Sequence, residues 1–138
     1  MMADNTKPKS KSKNKLNSAT VIKWLDTPEE HDYPAAESYL SIIYDAKTVA
    51  SFLQQLKIVP ISSFRSKDIF RASGLSLLGV SNSHGKKDQQ KVLDGKSLSP
   101  LLLVRDSANG KVVIADGYHR MCAVYGLDEE AVIPCKIV

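Results

Sequence analysis

At 138 residues the chain is long enough for one domain whose core needs neither disulfides nor a structural metal, and its two cysteines, Cys122 and Cys135, are too few for a disulfide framework and lack metal-ligand spacing. They read as small core residues with free thiols in a reducing compartment. The net charge of +4 belongs to the first sixteen residues, where Lys7, Lys9, Lys11, Lys13 and Lys15 oppose only Asp4, so the neutral remainder, basic in its middle, suits a local anionic ligand better than a long nucleic-acid track. No apolar run reaches the length that spans a bilayer, and the N-terminus lacks the apolar stretch of a signal peptide. The sequence therefore predicts a cytoplasmic protein with no membrane partner.

Residues 1–17 alternate Lys with Ser, Asn, Thr and Pro, a composition that buries too little apolar surface to offset the entropy of ordering. They read as a disordered basic tail, able to hold nucleic acid non-specifically through charge neutralisation or to act only as a solubilising segment. Residues 18–138 read as a single domain, with a helical extension over 18–56 and a core over 57–138. In the extension, Ala19 to Leu25 is a short apolar stretch around Trp24. A helix capped by Asp32, with Pro34 in its first turn, is expected to reach about Tyr44. Glu29, Glu30, His31 and Tyr33 gather beside it, a group able in principle to serve as acid, base or metal ligand and read first as a solvated acidic face. Asp45 is expected to cap a second helix, whose Val49, Phe52, Leu53 and Leu56 fall at i, i+3, i+4 and i+7 and mark a buried stripe.

In the core, Lys57 to Ser62 has strand character, with Pro60 arguing for an edge position or an irregularity. Ser66 is expected to cap a short helix that Gly74 stops. A polar loop, Val80 to Gly85, then leads into a lysine-bearing helix ending near Gly95. Ser81, Asn82, Ser83, Lys86 and Lys87 make this loop a candidate anion cradle. Pro100 to Arg105 is the most apolar strand, Asp106 to Gly110 a turn, and Ala131 to Val138 a last strand. Mixed helices and short strands predict an α+β or α/β fold on a small mixed sheet flanked by helices.

The densest chemistry lies in Lys111 to Gly126. Val112, Val113 and Ile114 follow the turn Asn109-Gly110 and read as a buried strand; Tyr118, Met121, Val124 and Tyr125 recur at helical spacing, with Gly126 placed to end the helix. Between them Gly117 permits a sharp turn and close backbone approach, and His119 and Arg120 fall in the first helical turn, where free amides and the helix dipole favour an anion. Phosphate suits such a site. Asp116, a carboxylate beside it, is read first as a helix cap, then as an orienter of Arg120 or a holder of a divalent metal that bridges to phosphate.

The motif Asp116-Gly117-Tyr118-His119-Arg120, set after a strand and before a helix, resembles the ParB/sulfiredoxin superfamily of small nucleotide-binding domains over roughly residues 57–138. The resemblance implies nucleotide phosphates, of the ATP or CTP class with or without Mg, held by Gly117, His119 and Arg120 with help from the Ser81 to Lys87 loop. It also implies, as an alternative, a metal-dependent phosphotransferase or nuclease in which Asp116 and His119 are the catalytic residues. Tyr118 stands where sulfiredoxins have their cysteine, so sulfiredoxin chemistry is not expected. His119 and Cys122 break the arginine box of partition proteins, and the chain ends where those proteins continue into a helix-turn-helix, so a partition clamp is not expected either.

Overall fold

The computed structural model describes residues 21–76 and 83–138, with the backbone alone for 83–85. The basic tail, Ser81 and Asn82 lie outside the described residues. The elements in order are strand β1 (Lys23–Trp24), helices α1 (Asp32–Ile43) and α2 (Ala46–Ile58), strand β2 (Ser62–Arg65), helices α3 (Ser66–Ser73) and α4 (Ser83–Leu93), and strands β3 (Ser97–Leu98) and β4 (Leu101–Asp106). A 3-10 turn (Ser107–Asn109), strand β5 (Lys111–Asp116), helix α5 (Tyr118–Leu127) and strand β6 (Val132–Ile137) follow. This is the small α+β fold expected. The main sheet runs β2-β6-β4-β5, antiparallel at both outer pairs and parallel between β6 and β4, while β1 and β3 pair in parallel as a separate ribbon.

The sheet is covered on both faces, which explains why Leu101, Leu102, Leu103 and Val104 form an unbroken apolar run. Successive side chains of a strand point to opposite sides. Leu101 and Leu103, with Val112, Ile114, Ile133, Cys135 and Ile137, pack under Ile69 of α3 and Met121, Cys122 and Val124 of α5. Leu102, Val104 and Ala115 pack under Tyr33, Ala36 and Leu40 of α1 and Val49 and Leu56 of α2. The helical extension therefore closes one face of the core sheet. Leu40 and Leu56 are wholly buried, and burying such a side chain contributes about 1.5–3 kcal/mol. Lys136, 8% exposed, donates from Nζ to the Lys57 carbonyl at 3.0 Å, placing a cation at the C-terminal end of α2 where the helix dipole favours one.

Several expectations hold. Asp45 caps α2 by accepting from the Thr48 amide at 2.8 Å, its side chain held below the usual carboxylate range by that hydrogen bond. Val49 and Leu56 are buried and Phe52 and Leu53 pack beside them. Gly74 ends α3 in the left-handed conformation. Others are corrected. Asp32 is the first residue of α1 rather than its cap, because its side chain turns inward instead of toward the helix amides. Helix α2 continues through Ile58, and the strand expected over Lys57 to Ser62 starts only at Ser62, after Pro60, which has no amide to give a ladder. Ser66 opens α3 without capping it; its hydroxyl donates to the carbonyls of Asp128 and Glu129 and ties α3 to the turn before β6. Helix α4 starts at Ser83, so Ser83 to Gly85, expected in the polar loop, are helical. Gly126 lies inside α5, which continues to bury Leu127. No helix among the described residues is long and apolar enough to cross a membrane.

Candidate functional site: a cationic cleft at the start of helix α5

Strand β5 does not reach the site in regular register. Val112, Val113 and Ile114 pair in step with Arg105, Val104 and Leu103, but Asp116 pairs with Leu102, leaving Ala115 as the extra residue of a bulge. Regular pairing would set Asp116 opposite Leu101, on the face covered by α5. The bulge sets it opposite Leu102, on the face covered by α1, and re-aims the side chain at the strand end. Gly117 follows with φ +107°, a conformation that side chains resist, and an added Cβ there would lie 2.7 Å from Leu101 Cγ and 2.9 Å from Arg120 Nη2. Only glycine fits. The chain thereby turns directly into α5, with Gly117 as its N-cap. Asp116 is accordingly not the helix cap that the sequence suggests.

Instead Asp116 holds Arg120. Arg120 Nη2 lies 3.1 Å from Asp116 Oδ2 and donates also to the Pro100 carbonyl at 3.4 Å, while its Nε–H is buried with no hydrogen-bond partner among the described residues. Burial pushes the Asp116 carboxyl above its ordinary range, the Arg120 charge and hydrogen bond pull it down, and the charge and hydrogen bonding of Asp32 push it up again. Asp32, which the sequence suggests as a helix cap, is instead a site neighbour. It is 2% exposed, and its Oδ2 accepts from the Glu29 amide at 2.9 Å and, in a short contact, from the Ser99 hydroxyl. Only its neighbours Glu29, Glu30 and His31 are exposed.

On the other side, α4 lies against α5 through Gln89, whose amide donates to the Ala123 carbonyl at 3.3 Å; an added Cβ on Gly126 would meet the same amide at 2.8 Å. This packing closes a cleft of about 300 Å³ lined by Lys87, Lys91, Gly117, Tyr118, His119 and Arg120, with Asp88 and Asp116 also at its wall. Of the loop residues expected to help, Lys87 enters the cleft, Lys86 is exposed and outside its lining, and the side chain of Ser83 lies outside the described residues. Lys91 was missed; it stands one helical turn after Lys87 on the same face, a signal the sequence does carry. Lys91 also comes within 4.0 Å of Asp88.

A second cleft, of about 670 Å³, shares Asp116, Gly117, Tyr118 and His119 with the first and runs along β5 toward Ala35 and Tyr39 of α1 and Leu75 after α3. The Tyr39 ring is half exposed there. Tyr118 and His119 stand between the two clefts with their rings 5.2 Å apart and edge-on.

The thiols take no part in this chemistry. Cys122 and Cys135 are buried and free, burial pushes both up, Cys135 to about 11, and Tyr118 hydrogen-bonds to Cys122. Such thiols are poor nucleophiles. Glu29, His31 and Asp32 bring one ligand-type atom each within 4.8 Å of one another. His31 Nε2 already lies 3.5 Å from both carboxylates, and no metal role is assigned to the trio. No protein-family model, curated protein or solved structure matches the chain. The resemblance to ParB/sulfiredoxin-like domains thus rests on the Asp116 to Arg120 residues and the order of elements around them.

Proposed function

We propose that the protein binds a nucleotide, its phosphates in the smaller cleft at the N-terminus of α5 and its base and sugar along the larger one. The observation that carries this reading is the convergence of Lys87, Lys91, His119 and Arg120 on the N-terminus of α5, which opens at Gly117. Backbone N–H groups and the dipole at a helix start favour an anion, and side chains from a second helix add charge and donors from the facing wall. Arg120, a residue of the same lining, also keeps a buried Nε–H without a hydrogen-bond partner among the described residues.

Asp116 opposes an anion less than its formal charge suggests. Arg120 offsets it directly, and burial together with Asp32 favours its neutral form. A cleft of about 300 Å³ suits a phosphate chain, whereas pockets for drug-sized ligands run to about 300–1,000 Å³. The adjoining cleft, with Tyr39 exposed and apolar walls at Ala35 and Leu75, supplies room and a stacking face for a base. This favours a nucleotide over bare phosphate.

Titration calorimetry with ATP, CTP and inorganic pyrophosphate, each with and without Mg, tests the reading on wild type and Arg120→Ala. Binding by wild type that weakens at least about tenfold in the variant is expected, a hydrogen bond to a charged group contributing about 1.5–3 kcal/mol. Absence of binding by wild type, or equal affinity in a folded variant, sinks it.

A further inference from the structure

We infer that Asp32, at the start of α1, is a positioning residue of the cleft: from the helical extension it fixes the guanidinium of Arg120 across the end of the sheet. Its consequence for ligand affinity rests on the nucleotide-binding reading above; its effect on Arg120 does not.

Two links join the residues. The first runs through the chain: the Ser99 hydroxyl donates to Asp32 Oδ2, and the next residue, Pro100, offers its carbonyl to Arg120 Nη2 at 3.4 Å. Ser99 is 4% exposed and Pro100 buried, and the proline ring restricts the residue before it, so the two contacts move as one body. The second runs through Asp116. The bulge at Ala115 sets Asp116 opposite Leu102, on the side of the sheet that α1 covers, where the Asp32 carboxyl interacts with it. Asp116 Oδ2 then receives Arg120 Nη2 at 3.1 Å. Both acceptors of Arg120 are thus anchored to one buried side chain.

The surroundings leave this anchor to Asp32. Glu29 and His31 beside it are exposed, and the Glu29 amide at 2.9 Å only orients the carboxyl. Lys87, Asp88 and Lys91 face Asp116 and Arg120 from α4 across the open cleft, and Tyr118 and His119 from α5. The guanidinium itself reaches Asp116 and the Pro100 carbonyl, the two groups tied to Asp32.

A residue that merely fills space would tolerate no distinction between amide and methyl beyond stability. Asn at position 32 accepts from Ser99 and the Glu29 amide through its carbonyl oxygen and donates to Asp116 through its amide, whereas Ala does neither. In the ligand-free, ¹⁵N-labelled full chain, the Arg120 Nε–H resonance, assigned by its loss in Arg120→Lys, is expected to exchange slowly with solvent in wild type and Asp32→Asn. In Asp32→Ala it is expected to exchange at least about tenfold faster, the loss of one charged hydrogen bond. Pyrophosphate affinity is expected to stay within about twofold for Asp32→Asn and fall about tenfold for Asp32→Ala. A wild-type Arg120 signal in folded Asp32→Ala overturns the inference. If wild type binds no pyrophosphate, the nucleotide reading fails and the Arg120 signal alone decides. Should Asp32→Ala not fold, Ser99→Ala cuts the first link alone, and an unchanged Arg120 exchange rate there overturns the inference equally.

Discussion

Arg120 Nη2 rests 3.1 Å from Asp116 Oδ2, one helical turn away, with side chains only 18% and 16% exposed. A pair this shielded is stronger than a surface ion pair, and removing one partner leaves the other charge poorly solvated. It also brackets Gly117, so the geometry of the pair and the opening of the helix are one feature.

Arg120→Lys tests whether the fork matters as well as the charge. A lysine keeps the cation but offers a single ammonium where the planar guanidinium reaches Asp116 and Pro100 together and carries a further donor at Nε. Pyrophosphate affinity is expected to fall about tenfold by calorimetry, with a stability loss of about 1–2 kcal/mol in urea unfolding. An affinity equal to wild type would show that charge alone suffices.

Asp116 makes stability depend on pH with a definite sign. Its carboxyl is raised in the folded protein, first by burial and then by Asp32, against the partial pull of Arg120. A group raised in the folded state binds more protons there than when unfolded, so its contribution is complete below the ordinary carboxylate range and is lost as pH rises through the raised value. Urea unfolding followed from the ordinary carboxylate range upward should show that loss in wild type. Asp116→Asn should flatten it. A variant curve parallel to wild type would mean Asp116 does not titrate as described.

The sequence carried the fold further than it carried the site. Periodicity at Val49, Phe52, Leu53 and Leu56, the apolar run at Leu101 to Val104 and the glycines at 74 and 110 are local signals, and each produced the expected element. Asp116-Gly117-Tyr118-His119-Arg120 was equally legible as a strand-to-helix turn. What escaped depends on contacts between distant segments. Asp32 looks like a cap among exposed acids and becomes buried only because Ser99 and Asp116 meet it from the other end of the chain. The bulge at Ala115 has no sequence mark, since alanine fits regular and bulged strand alike, yet it decides which face Asp116 serves. Ser66 is a cap by type and a tether in fact, because the carbonyls of Asp128 and Glu129 reach it first.

Gly117→Ala is expected to damage stability and site together. The backbone at φ +107° strains any side chain, and the new Cβ would meet Leu101 Cγ at 2.7 Å and Arg120 Nη2 at 2.9 Å. Strain of this kind costs about 1–3 kcal/mol before the clash is counted. Leu101 is wholly buried and cannot move aside, so Arg120 must. A thermal melt lowered relative to wild type, with faster exchange of the Arg120 Nε–H, is the expected pair of results. Gly110→Ala is the control: it is also left-handed, at φ +64°, but meets nothing within 4 Å, so it should cost stability and leave Arg120 unchanged.

The division of the site into a phosphate end and a base end can be read from two variants. Lys87→Gln with Lys91→Gln removes charge from the smaller cleft, so affinity for ATP and for pyrophosphate should fall alike, by about tenfold, and become less sensitive to salt. Tyr39→Ala removes the exposed ring of the larger cleft, where stacking of a base contributes about 1–3 kcal/mol. ATP affinity should then fall about five- to a hundredfold while pyrophosphate affinity holds. Tyr39 projects from the helical extension, and its ring is too exposed for its loss to unfold α1, whose buried residues are Asp32, Tyr33, Ala36 and Leu40. Equal loss of both ligands in Tyr39→Ala would place the base elsewhere, and loss of neither would leave the larger cleft without a part in binding.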